Sequence, residues 1–353
     1  MTVPDSAGVR GPWPGRLRKL ASALVKLALS GLLIWWAVGQ VDLSAIAARL
    51  GDLSWPWLLP LAVLVLLQAA LLCLRFHWVL QGALAGAVER WRFWPVARTV
   101  LAGLLFNQPF PSTLGGDVAR VVLLRRMGIG LGTAFSAVVA DRGAALLAML
   151  LAMLAGLPLL AAADIAIAPA DRATLVATDL VAGAVALVVI AVLLLLRHLR
   201  WLGRHHRLLE RVAGLYAGIR QALVGAGRLP AILLAGIAGH FLTALFGLCV
   251  AAGLDIPLSP AVALLLIPPV LLIAQIPIAI AGWGLREAAM VTALGFAGIS
   301  AGDAFLVSVG IGLATLAQGL AGGLAWSLSG AALSRRASSN PAAEEGQDIA
   351  APL

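Results

Sequence analysis

Residues 107 to 126 read Asn-Gln-Pro-Phe-Pro-Ser-Thr-Leu-Gly-Gly-Asp-Val-Ala-Arg-Val-Val-Leu-Leu-Arg-Arg. One apolar run, Val100 to Phe106, leads into this stretch, and a longer one, Ile129 to Ala140, follows it. Pro109 and Pro111 remove backbone donors and block a continuous helix. Gly115 and Gly116 open backbone angles that other residues avoid. Helix is expected to resume near Asp117, whose carboxylate suits a helix N-terminus, with Arg120 one turn inside. Broken backbone at membrane depth is tolerated only where protein or a wet cavity surrounds it. Asn107, Pro111, Ser112, Gly115, Gly116, Asp117 and Arg120 are therefore candidate substrate-contact residues.

Composition decides the class around this break. Hydrophobic residues make up 61% of the 353 and charged ones 12%, and several apolar runs are long enough to cross a bilayer. The expected fold is all-α, a polytopic membrane bundle of about six to eight transmembrane helices. The net charge of +9 sits at the ends of apolar runs, which fits cytoplasmic anchoring and anionic lipid rather than nucleic acid. Cys73 and Cys249 lie inside apolar runs and read as buried thiols, with no disulfide or metal framework. No nucleotide-binding loop is present and no cofactor is expected. His205-His206 reads as a solvated pair.

Arginine placement orients the chain. Residues 1–19 form a basic cytoplasmic tail, retained because no small-residue cleavage site follows. Spans are expected at 21–39 and 57–74, with Arg75 marking the return to the inside. The piece 99–106 is too short to cross, so a re-entrant hairpin from the inside is expected there. The run 127–163 leads outside, and 180–196 leads back. The basic loop 197–229 carries Leu208, Val212, Leu215, Ile219 and Leu223 at helical spacing, as in an amphipathic helix on the inner leaflet. A span at 230–252 leads out, 257–287 is apolar but broken, and 304–329 leads in. The membrane domain covers 20–336, with halves at about 20–196 and 230–330. Residues 337–353 are expected to be disordered. Both termini are then cytoplasmic.

The second break mirrors the first. Set at an offset of 166, Pro111 lies over Pro277, Gly116 over Gly282 and Arg120 over Arg286. One segment enters from inside and the other from outside, the pattern of an inverted-repeat transporter with its site between the halves. Pro277, Gly282, Gly284, Arg286 and Glu287 join the candidates. So do Asp141 and Arg142, which have two readings: buried and facing the site, or an ion pair at the inner interface. A charge at a helix centre costs roughly 2.5–3.5 kcal/mol, so these groups must pair or meet a charged ligand.

Pro-Ser-x-x-Gly-Gly-Asp-x-x-Arg (111–120), Leu-Leu-Arg-Arg (123–126), Asp141-Arg142 and Pro-x-x-x-x-Gly-x-Gly-x-Arg-Glu (277–287) together resemble the flippase-like integral membrane family. That family includes the transmembrane domain of lysylphosphatidylglycerol synthetase/flippase proteins. The resemblance covers about residues 20 to 330. It implies movement of an anionic, glycosylated or aminoacylated lipid between leaflets of the bacterial inner membrane, with a lipid-synthesising enzyme as a partner. The soluble aminoacyl-transfer domain of two-domain members has no counterpart here, so synthesis of lysyl-lipid is not expected, and the chain is read as a translocase rather than an enzyme. Two other readings stand beside it: a membrane-embedded lipid-phosphate transferase or its accessory subunit, and a small-anion secondary transporter.

Overall fold

A computed structural model describes residues 54–84, 92–108, 114–162, 207–225, 227–276 and 283–338, with a few more between 173 and 185. The expected span 21–39, most of 180–196, His205-His206, and the tails 1–19 and 339–353 lie outside the described residues. So do Pro111, Ser112, Pro277 and Gly282 among the candidates.

Among the described residues the chain is helical. After a short 3-10 turn at Trp55–Trp57 come α1 (Leu58–Ala83), α2 (Phe93–Phe106), α3 (Leu114–Arg126) and α4 (Leu131–Ala162). Then follow α5 (Arg207–Val224), α6 (Leu229–Gly253), α7 (Pro260–Ala274), α8 (Leu285–Gly295) and α9 (Ala301–Ser338). The segments 55–83, 131–156, 229–253 and 301–328 are long and apolar enough to cross a membrane. α2 and α7 have 14 and 15 residues. At 1.5 Å per residue each spans only about 20 Å, short of a hydrocarbon core of about 30 Å. Each is followed by a break and a second short helix, so α2–α3 and α7–α8 are hairpins.

α1 runs nine residues past the expected end of its span, from Leu74 to Ala83. Nothing between Arg75 and Ala83 breaks a helix, and Arg75 has a buried partner. Its charge therefore does not end the helix. α7 keeps Pro268 and Pro269 inside it. Pro260 starts it at a position that needs no amide partner, and the Ser259 hydroxyl accepts a hydrogen bond from the Val262 N–H at 3.3 Å.

Two units repeat the order long, short, short, long: α1–α4 and α6–α9. Their first helices run antiparallel, because Ser54 at the start of α1 donates its N–H to the carbonyl of Gly253 at the end of α6 (2.9 Å). Further along, Gln68 of α1 donates to the carbonyl of Gly239 (2.8 Å). The units are thus inverted relative to each other.

The register of the repeat changes at the break. In the entering arms the offset of 166 holds, since buried Val96, Ala97 and Val100 match buried Val262, Ala263 and Leu266. Beyond the tips it becomes 170. α3 ends with Gly128 at φ 89 and the Ile129 N–H bonded to the Leu124 carbonyl; α8 is followed by Gly298 at φ 75 and the Ile299 N–H bonded to the Leu294 carbonyl. Both are left-handed glycine stops with an apolar contact across the cap. At this offset Leu124, Gly128, Ile129, Gly132, Ala134 and Phe135 recur as Leu294, Gly298, Ile299, Gly302, Ala304 and Phe305. The second hairpin has the longer link, 275–284 against 107–113. Asp117 therefore corresponds to Glu287, not Arg120 to Arg286.

The halves meet through crossed contacts, α2 on α9 and α7 on α4. The α2–α9 seam is a backbone approach. A Cβ on Gly322 would lie 2.8 Å from the Leu101 carbonyl oxygen, and one on Gly319 2.9 Å from Gln108 Cγ. The corresponding seam offers Met149 to the second hairpin tip, where Gln275 Nε2 lies 3.5 Å from its sulfur. α5 forms where the amphipathic pattern places it. Ile219 and Leu223 on this stripe pack partly buried against the bundle core formed with α1 to α4. At this contact Gly82 of α1 lets the α5 backbone approach at Ala222.

Candidate functional site

Among the described residues the ion pairs inside this frame fall into three groups. The first joins three helices. Arg75 of α1 donates through Nε to Asp141 Oδ1 (2.8 Å) and through Nη2 to Oδ2 (3.1 Å), while Arg120 of α3 donates through Nη1 to Oδ2 (3.1 Å). Asp141 is 1% exposed, Arg120 4% and Arg75 6%. The Arg120 guanidinium lies over the Phe76 ring at 5.2 Å, and its Nε has no partner among the described residues. Asp141 is thus buried, while among the described residues it does not line the cavity that Arg75 borders.

The second pair is Arg142 Nε to Asp117 Oδ2 at 2.7 Å, with the Arg142 side chain about a third exposed. Asp117 sits in the first turn of α3, where an acid complements the helix dipole. Asn107 caps the same end: its Oδ1 accepts from the Gly116 N–H at 2.9 Å. A Cβ on Gly116 would run into the Gly103 carbonyl and into Asn107. This glycine serves the close approach of α2 and α3. Gly115 is half-buried on the same turn.

The third pair lies in the second hairpin. Arg286 Nη2 meets Glu287 Oε1 at 2.6 Å, and Arg286 Nε donates to Ser308 Oγ of α9 at 3.2 Å. Ser308 donates in turn to Glu287 Oε1 (3.2 Å), and the other carboxylate oxygen caps α8 by accepting from the Gly284 N–H (2.5 Å). Gly284 has φ 85, an angle that favours glycine. The Arg286 guanidinium stacks on Trp283 at 4.6 Å. A Cβ on Gly312 would collide with it.

A cavity of ≈ 270 Å³ opens between the first and third pairs. Among the described residues its wall includes Arg75, Arg286, His240, Gln68 and Gln275, together with Thr243 and Thr315. Arg120 and Arg286 do not share this wall. Arg75 stands where the sequence pointed to Arg120, and Arg120 lies behind it on the same carboxylate. The wall is braced from outside. Gln68 donates to Thr243 Oγ1 (2.7 Å) and accepts from Gln318 (3.0 Å), and His240 Nε2 donates to the Ala145 carbonyl (3.1 Å). Two guanidinium groups, amides and hydroxyls facing one small space can bind an oxyanion through charge-assisted hydrogen bonds. Among the described residues no group of three or more His, Cys, Asp or Glu could hold a metal ion.

Arg75, Gln68, Ser308 and Gln318 escaped the sequence reading. The signal for Arg75 was available, since Phe76, Trp78, Val79 and Leu80 continue the apolar pattern beyond it.

Fold and charges together define a polytopic membrane protein with an inverted repeat and a cavity between its halves bordered by a buried arginine from each. The sequence matches the family described as "Lysylphosphatidylglycerol synthase TM region" over residues 23–323, and the chain belongs to that family. A search of curated proteins finds no match.

Proposed function

We propose that the protein is a lipid translocase that moves a phosphate-bearing lipid between leaflets of a bacterial inner membrane, with both termini cytoplasmic. The headgroup enters the cavity and its phosphate meets Arg75 and Arg286. The acyl chains stay in the bilayer. No bond is made or broken, so the chain is not an enzyme, and it works beside an enzyme that synthesises its lipid. The observation that carries this reading is a cavity between two inverted hairpin units with a buried arginine from each. Such a chamber is where inverted-repeat transporters hold their substrate. Holding Arg75 and Arg286 with buried carboxylates fixes their geometry before the ligand arrives, which raises affinity by lowering the cost of ordering.

The test is headgroup-labelled lipid translocation by the full chain in vesicles, comparing Arg75→Lys and Arg286→Lys with the parent. Lysine keeps the charge but not the planar fork, so each rate should fall about tenfold or more at unchanged protein level. Parent-like rates in both variants would refute the assignment.

A further inference from the structure

The two clusters flanking the cavity differ in charge. Arg286 and Glu287 balance one to one. Arg75 and Arg120 share Asp141, and among the described residues no second carboxylate reaches either guanidinium. Arginine stays protonated in proteins, so this buried cluster carries one positive charge in excess. The chain has 16 Asp and Glu. Three of them, Asp117, Asp141 and Glu287, lie in the two hairpins and in α4. The others fall in polar links, tails, α5 and the first turn of α9. Asp117 is already engaged by Arg142. A uniform negative ligand is what such a cluster lacks, because buried charge is stable only when it is paired.

The cavity wall agrees. Asp141 and Glu287, the partners of its arginines, are not among its described lining. The lining offers guanidinium groups, amides, hydroxyls and an imidazole, none of which neutralises an ammonium group. Its ≈ 270 Å³ falls just below the range of about 300–1,000 Å³ usual for ligand pockets, which suits a small headgroup rather than an oligosaccharide.

We infer that the cavity takes a small phosphodiester headgroup with one net negative charge and no ammonium group. This rests on the translocase reading only for the acyl chains attached to that headgroup. An aminoacylated headgroup places its ammonium against Arg75 and Arg286 and is disfavoured.

The test is equilibrium binding to the purified full chain. The probes are phosphatidylglycerol (net −1), phosphatidylethanolamine (net zero) and lysylphosphatidylglycerol (net +1) with the same acyl chains, and glycerophosphoglycerol as the headgroup without chains. Phosphatidylglycerol should bind about tenfold or more tightly than the other two lipids, since like-charge juxtaposition suppresses wrong partners. Equal affinities, or tighter lysylphosphatidylglycerol, overturn the inference. Gln275→Glu adds a carboxylate to the wall by a near-isosteric change at an exposed hairpin tip, and should reduce the preference to about threefold or less. An unchanged preference in this folded variant places binding elsewhere and also overturns it. Glycerophosphoglycerol binding as tightly as the lipid keeps the charge assignment and refutes the lipid reading. Selective binding without translocation does the same.

Discussion

The two hairpins solve one problem in different ways. Each must hold a buried arginine. The first half does so across the bundle: Asp141 of α4 gathers Arg75 from α1 and Arg120 from α3. The second half does so within the hairpin, where Glu287 holds its neighbour Arg286 and caps its own helix, with Ser308 of α9 as a support from outside. The first carboxylate is therefore a structural junction of three helices. The second presets one side chain on a cavity wall. Inverted repeats can share a backbone plan and still divide labour in this way.

Removing Asp141 should have the largest effect. Asp141→Ala leaves two buried guanidinium groups without their carboxylate, and breaking a buried pair costs about 3–5 kcal/mol. A steep drop in thermal midpoint and in membrane protein level is expected. If the variant unfolds like the parent, the junction is not what holds α1, α3 and α4 together.

Glu287→Gln should cost less, about 1.5–3 kcal/mol, the range for hydrogen bonds to charged groups. Arg286 keeps Ser308 and Trp283, and it borders a cavity that water can fill. The comparison sharpens if denaturation shows a smaller shift than Asp141→Ala while headgroup binding falls as much. Equal destabilisation would make the second carboxylate a junction as well.

The seams between the halves offer a third contrast. Gly322→Leu forces a side chain against the Leu101 backbone and should cost about 1–3 kcal/mol by overpacking. Met149→Leu at the other seam conserves volume and should cost less than about 1.5 kcal/mol. Chemical denaturation of both variants in one lipid system would rank them. The reverse order would mean that the α2–α9 seam can open.

The smallest effect belongs to Arg142→Gln. Its side chain is about a third exposed, and exposed pairs contribute about 0–1 kcal/mol. A shift of the midpoint comparable to that of Asp141→Ala would put Arg142 in the core network after all.

Much of this could be read from local chemistry. Apolar runs longer than a bilayer, prolines and paired glycines between shorter runs, and an acid at each restarted helix depend on neighbouring residues alone. They announced a membrane bundle with two interrupted segments of opposite entry. The amphipathic stripe of α5 was equally local. Its packing partner was not, because Gly82, far away in sequence, lets the α1 backbone approach α5 at Ala222. The repeat was visible, but matched on Pro, Gly and Arg at 166. The stronger run at 170, from Leu124 to Phe135, follows the cap geometry that only folded helices reveal.

The sequence by itself determined that charged groups interrupt or adjoin long apolar runs and must find partners, since hydrocarbon does not tolerate them alone. It could not choose among the partners. Arg75 is separated from Asp141 by 66 positions, and Arg120 from it by 21. An arginine at the end of an apolar run and one in the middle of a helix look alike until helix packing brings a carboxylate to one of them. Only the tertiary structure decided that Arg75 faces the cavity, that Arg120 stands behind it, and that one acid serves both.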